Sequence, residues 1–146
     1  MKTALFAGSF NPFTIGHKSI ADRTLASLAD RLVIAVGYNP AKADPSDVAE
    51  RVRSISLLFQ DDPRVEVLAY DSLTVQFAKQ CQADFLVRGV RSLSDFEYEL
   101  QLADANRDLS GIETVILPPL PELAFVSSSL VRELKAFGQD PSKYLP

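Results

Sequence analysis

The chain holds one cysteine, one histidine and no tryptophan in 146 residues. A lone cysteine, Cys81, permits neither an intrachain disulfide nor a cysteine-based zinc site. It falls in VQFAKQCQADF, an amphipathic helical pattern in which an inert, packed thiol is expected. Long apolar runs are missing as well, and nothing approaches the roughly 20 residues that span a bilayer. The opening Met-Lys-Thr passes directly into a strand-like run and reads as no signal peptide, so the expectation is a cytoplasmic protein with no membrane partner. Positive charge is in deficit, 15 Lys and Arg against 19 Asp and Glu, for a net charge of −4. That balance provides no basic face for a duplex, and no nucleic-acid partner is expected. An anionic ligand would have to be met by local cations, for which Lys42, Arg88, Arg91, Arg107 and Arg132 are candidates.

What is present is a soluble globular composition, 47% apolar and 23% charged, in a length that suits a single domain spanning residues 1–146. Short β-rich runs alternate with helical ones. TALFAG reads as a buried strand, and HKSIADRTLASLADR follows with Ile20, Leu25 and Leu28 at helical spacing. RLVIAVGY is a second strand, YNPAKADP a loop, and DVAERVRSISLLF a helix opened by Asp47 and Glu50 at capping-box spacing. VEVLAY and LTVQFAKQCQ form a third pair; FLVRG and SLSDFEYELQLADANRDL form a fourth, with Ser94 and Glu97 as its capping box. TVILPPL is the fifth strand, and SSSLVRELKAFG is a last helix ended by Gly138. Apolar strands alternating with helices describe an α/β fold, a Rossmann-like doubly wound sheet of five parallel strands with helices on both faces.

Ligands of such sheets bind beyond the carboxyl ends of the strands, at the switch point of the strand order. The loops there are Gly8 to Gly16, Tyr38 to Ser46, Arg88 to Ser94 and Pro118 to Ser127. In the first loop Gly8 permits close backbone approach, Pro12 stiffens the turn, and Gly16 clears space where a helix begins. His17 then projects from that helix N-terminus toward the crevice. Arg88 and Arg91 leave the fourth strand with Gly89 between them, and a guanidinium can hold phosphate in a bidentate fork. Ser127, Ser128 and Ser129 open the last helix, where N-terminal N–H groups and spare hydroxyls form an anion site.

GSFNPFTIGH resembles the T/H-x-G-H signature of the nucleotidyltransferases, and VSSSLVREL resembles their second signature. RGVRSLSDFEYELQLADANR is similar to the central block of the bacterial phosphopantetheine adenylyltransferase family, and the similarity runs from the first strand to Leu145. Thr14 stands where cytidylyltransferases and nicotinamide-nucleotide adenylyltransferases carry His.

The resemblance implies reversible transfer of AMP from ATP to 4′-phosphopantetheine, giving dephospho-coenzyme A and pyrophosphate. It implies that His17 stabilises the transition state and that Ser9 and Phe10 meet substrate phosphate and nucleotide. It places ATP against Gly89, Val90, Arg91 and Glu99, and along Leu123, Ala124, Phe125, Val126, Ser127, Ser128 and Ser129. Lys42, Leu73, Thr74, Arg88 and Asn106 are implied to line the acceptor site with Ser9. Mg2+ is implied with ATP, held mainly by the phosphates and by no protein metal site. A homohexamer and feedback by coenzyme A are further expectations from the family alone. The chain departs from the family pattern at Asn11, where Asp is common, at Leu123, where an aromatic is common, and after Lys42, where Ala43, Asp44, Pro45 and Ser46 replace a Lys-Pro-Met-Phe-like stretch. Two rivals stand beside this reading, an enzyme that adenylylates nicotinamide mononucleotide and a nucleotide sensor without turnover.

Overall fold

The computed structural model describes residues Met1–Pro146. Five strands, β1 (Thr3–Gly8), β2 (Arg31–Gly37), β3 (Val65–Tyr70), β4 (Phe85–Gly89) and β5 (Glu113–Leu117), form one sheet in the order β3-β2-β1-β4-β5. Every pairing is parallel, with Ala4 opposite Leu32 on one side and Phe85 on the other. The doubly wound topology expected from the alternating runs is therefore present, with its switch point between β1 and β4.

The sheet has two buried faces because successive strand residues point to opposite sides. Ala4, Phe6, Leu32, Ile34 and Val36 face one core, which α1 (Ile15–Ser27) and α2 (Pro45–Leu58) close with Ile20, Leu25, Val48 and Ile55. Leu5, Ala7, Val33 and Ala35 face the other, closed by Val75 and Ala78 of α3 (Thr74–Gln80). Leu5, Leu32 and Ile34 are fully buried, each worth about 1.5–3 kcal/mol relative to exposure. α4 (Leu93–Ser110) runs beside β5, and α5 (Ser128–Ala136) follows a short 3-10 turn at Pro121–Leu123.

Three helix starts differ from the sequence expectation. α1 begins at Ile15, two residues ahead of the expected His17, because Thr14 is its N-cap. α2 begins at Pro45, two residues early, because Asp44 is the N-cap: its carboxylate accepts from Ser46 N at 2.9 Å, and Pro45 sits at the first helical position, where no N–H is needed. α4 is capped by Ser92, whose hydroxyl accepts from Asp95 N at 3.2 Å, and not by a Ser94–Glu97 box. The end of α5 is as read. Gly138 has φ +72°, and the bonds Gly138 N to Lys135 O and Gln139 N to Leu134 O close a Schellman turn.

Candidate active site

The carboxyl ends of β1 and β4 open into a cleft of about 300 Å³ walled by α1, α4 and α5. Arg23, Arg88, Arg91 and Arg132 line it against two carboxylates, Asp95 and Glu99, so the wall is locally cationic on an acidic chain. Such focusing suits a polyanion.

His17 is the third residue of α1, within a capping box whose N-cap is Thr14. Thr14 N donates to His17 Nδ1 at 2.9 Å, and His17 N donates back to Thr14 Oγ1 at 3.4 Å. A backbone N–H has no alternative role, so Nδ1 must be the acceptor nitrogen and the neutral ring carries its proton on Nε2. The ring stacks on Phe13 at 5.3 Å and meets Phe10 edge-on at 5.1 Å. Burial among these rings, then the charges of Arg91 and Arg88, lowers the His17 pKa to about 4. At neutral pH the residue is an uncharged, oriented donor.

Arg88 is committed differently from the expected phosphate fork. Its Nε and Nη2 donate to Glu99 at 2.8 and 2.7 Å, and Nη1 donates to Ala7 O. Glu99 is 3% exposed, so this pair sits in the floor of the cleft and joins β4 to α4. Of five guanidinium N–H groups, two remain for a ligand. The Arg91 guanidinium, in contrast, makes no ion pair within the protein; only its backbone N is engaged, by Asp95 at 3.0 Å. Arg91 is the unpaired counterpart to the paired Arg88.

The serine run supplies backbone donors more than hydroxyls. Ser127 Oγ accepts from Leu130 N at 3.0 Å as the N-cap of α5, and Ser128 Oγ donates to Pro12 O at 2.7 Å. Ser129 Oγ accepts from Arg132 Nη2 at 3.2 Å. The N–H groups of Ser128 and Ser129, in the first turn, have no partner in the protein and line the cleft. The glycines also serve a purpose other than ligand approach. A Cβ on Gly8 would meet the Phe10 ring, and one on Gly89 the Ile20 side chain, each at 3.1 Å.

Ser9, Phe10, His17, Arg88, Gly89, Val90, Arg91, Glu99, Leu123, Val126 and the three serines therefore share one cleft. Ala124 and Phe125 do not line it; Phe125 is 60% exposed and packs edge-on against Tyr144. Lys42 lies in a shallow depression with Asn11, Asn39 and Arg51. Leu73 is the exposed N-cap of α3, Thr74 Oγ1 bonds Tyr70 Oη at 2.8 Å, and Asn106 stands on α4 outside the cleft. Wall residues that sequence reasoning did not assign to the site include Ser19, Ile20, Arg23, Asp95 and Leu120. Ser19 Oγ is buried there without a protein partner. From the sequence Thr14 is only a family marker, yet T-x-x-H has capping-box spacing with His in the Glu position, the signal that would identify this local constraint.

No three His, Cys, Asp or Glu side chains converge on one point. Residues 5–134 match the family described as Cytidylyltransferase-like. The chain is 50% identical to the phosphopantetheine adenylyltransferase of Phocaeicola vulgatus, over 100% of this chain and 96% of the relative. It is 44% identical to the enzyme of the same name from Lachnoclostridium phytofermentans, over 100% and 90%. Among solved structures, a Vibrio parahaemolyticus protein proposed to be a nicotinate-nucleotide adenylyltransferase aligns with TM-score 0.66 and 17% identity, covering 99% of this chain and 94% of that one. That likeness is one of fold.

Proposed function

The chain belongs to the Cytidylyltransferase-like family and, within it, to the phosphopantetheine adenylyltransferases, and from that membership we infer that it transfers AMP from ATP to 4′-phosphopantetheine in the cleft between β1 and β4. An oxygen of the acceptor phosphate forms a bond to the α-phosphorus of ATP while the bond from that phosphorus to the bridging oxygen of the β-phosphate breaks. Dephospho-coenzyme A and pyrophosphate are the products, a step of coenzyme A biosynthesis.

The observation that carries this reading is His17, held neutral with its free Nε2–H in a cationic cleft. Charge grows on the non-bridging oxygens of the α-phosphate in the transition state, and a preorganised donor there needs no proton transfer. The acceptor phosphate is already a nucleophile, so no strong base is required. Arg91 and the Ser128 and Ser129 N–H groups receive the β- and γ-phosphates and stabilise them as pyrophosphate departs. Leu123, with Leu120 and Val126, forms an aliphatic wall for adenine in place of an aromatic one. The two remaining Arg88 N–H groups meet the acceptor phosphate. Lys42, Leu73 and Thr74 follow β2 and β3 at the same edge of the sheet and line the pantetheine arm, with Asn106 further along α4.

Mg2+ accompanies ATP in this reading and supplies charge neutralisation on the phosphates. The cleft carboxylates fit a phosphate-held ion better than a protein cage, because Glu99 is taken by Arg88 and Asp95 by the Arg91 backbone. A cytoplasmic homohexamer is part of the proposal, supported by the exposed apolar stripe Leu93, Phe96 and Leu100 on α4. Feedback binding of coenzyme A at the acceptor site follows from its sharing the pantetheine arm. No helix is long and apolar enough to cross a membrane.

The test offers purified protein ATP and Mg2+ with either 4′-phosphopantetheine or nicotinamide mononucleotide. Pyrophosphate release and dephospho-coenzyme A from the first acceptor alone support the reading; product from the mononucleotide, or ATP binding without product, overturns it.

A further inference from the structure

Phe10 sits in the left-handed region at φ +48°, a conformation that a residue with a Cβ keeps only when its surroundings hold it. Its ring is pinned between Phe6 and Phe13, at centroid distances of 5.1 and 5.2 Å. Three side chains from distant elements hold the carbonyls on either side. Ser128 takes Pro12 O and Arg132 takes Asn11 O at 2.6 Å, both from within the cleft. The third is Arg51 on α2, whose Nη1 donates to Ser9 O at 3.0 Å.

Arg51 lies outside the cleft, beside Asn11 and Asp47 on the opposite side of the loop. Asp47, one turn earlier on α2, is its ordinary ion-pair partner by spacing, yet no such pair is present and the guanidinium reaches a backbone carbonyl instead. The peptide joining Ser9 to Phe10 is trans, so its C=O and N–H point in opposite directions. Fixing Ser9 O from the α2 side turns the Phe10 N–H away from α2. That N–H has no partner in the protein, and both Ser9 and Phe10 line the cleft.

We infer that Arg51 is a positioning residue of the transfer site: by holding Ser9 O it sets the plane of the Ser9–Phe10 peptide and presents the Phe10 N–H to ATP as a preorganised donor. The inference rests on the proposed adenylyl transfer and deepens it.

The experiment compares wild type, Arg51→Ala, Arg51→Lys and the control Arg53→Ala, whose exposed guanidinium pairs only with Glu50 on the same helix. Melting temperature, kcat and KM for ATP are measured, and the Phe10 amide resonance is followed in 15N-labelled protein titrated with Mg-ATP. In wild type that amide shifts with ATP. Arg51→Ala lowers kcat/KM for ATP by about 10- to 100-fold, the scale of a small misplacement of a catalytic group, and abolishes the shift. Arg51→Lys, which keeps one N–H for Ser9 O, recovers most of both, and Arg53→Ala matches wild type. A wild-type Phe10 amide indifferent to ATP, an alanine variant with unchanged kcat/KM, or a lysine variant as impaired as alanine overturns the inference. Should Arg51→Ala fail to fold, the lysine variant and the wild-type titration decide. Wild type that makes no dephospho-coenzyme A counts against the proposed reaction, whereas the amide titration tests Arg51 without turnover.

Discussion

His17 shows how a single hydrogen bond can set the chemistry of a side chain. Because Thr14 N occupies Nδ1, the free ring nitrogen is a donor at every pH where the ring is neutral. His17→Ala should lower kcat by about 10²- to 10³-fold, as loss of one preorganised donor does, while ATP affinity in a binding titration changes little. Equal losses in affinity and in turnover would contradict a donor that acts in the transition state. The pH response follows from the lowered pKa. With the folded value near 4 and the unfolded value near 6.5, the unfolded chain takes up a proton in the interval between them and the folded one does not. Stability tied to this ring is therefore complete above about pH 6.5 and is lost as the pH falls toward 4, by at most about 1.4 kcal/mol per pH unit. Melting curves of wild type and His17→Gln should converge across that interval. The kcat profile should show no His17 inflection between pH 5 and 8.

At the scale of elements, the Arg88–Glu99 pair fastens the end of β4 to α4 in the cleft floor. Removing one partner of such a pair strands the other, so Glu99→Ala should destabilise by about 3 kcal/mol, read by denaturant unfolding. The expected fork from Arg88 to phosphate missed this because eleven residues and a loop separate the two in sequence, and nothing local marks Glu99 as the inward face of α4. The strands were legible, since TALFAG and RLVIAVG are apolar enough to be buried on both faces. Helix starts were less so. Asp44-Pro45 and Asp47-Glu50 are both acceptable openings three residues apart, and the proline at the first helical position decided between them. The serine run opens α5 as the sequence implies, but its hydroxyls are not spare. Ser128 is claimed by Pro12 O, a partner at the other end of the chain that no local pattern announces.

For the whole molecule, α4 raises the question of what lies outside the fold. It buries Glu99 alone among its residues, while Leu93 is 86% exposed and Leu100 45%. An apolar stripe of this kind on a solvent face marks an association surface. Leu93→Asp combined with Leu100→Asp should reduce the particle from the proposed hexamer to smaller species in light scattering, with the far-ultraviolet circular dichroism unchanged. An unaltered mass would move the contact to another face.

The strand order carries one more consequence, for synthesis. β1 is the central strand of the sheet and the first in the chain, and its register pairs Ala4 with Leu32 on one edge and with Phe85 on the other. During translation the first edge finds its neighbour early, whereas the second stays open until β4 has left the ribosome. A nascent chain halted before Asp84 thus carries half an active site and a bare β-edge made of Ala4, Leu5 and Phe6, the kind of surface that holdase chaperones cover and that otherwise recruits other strands.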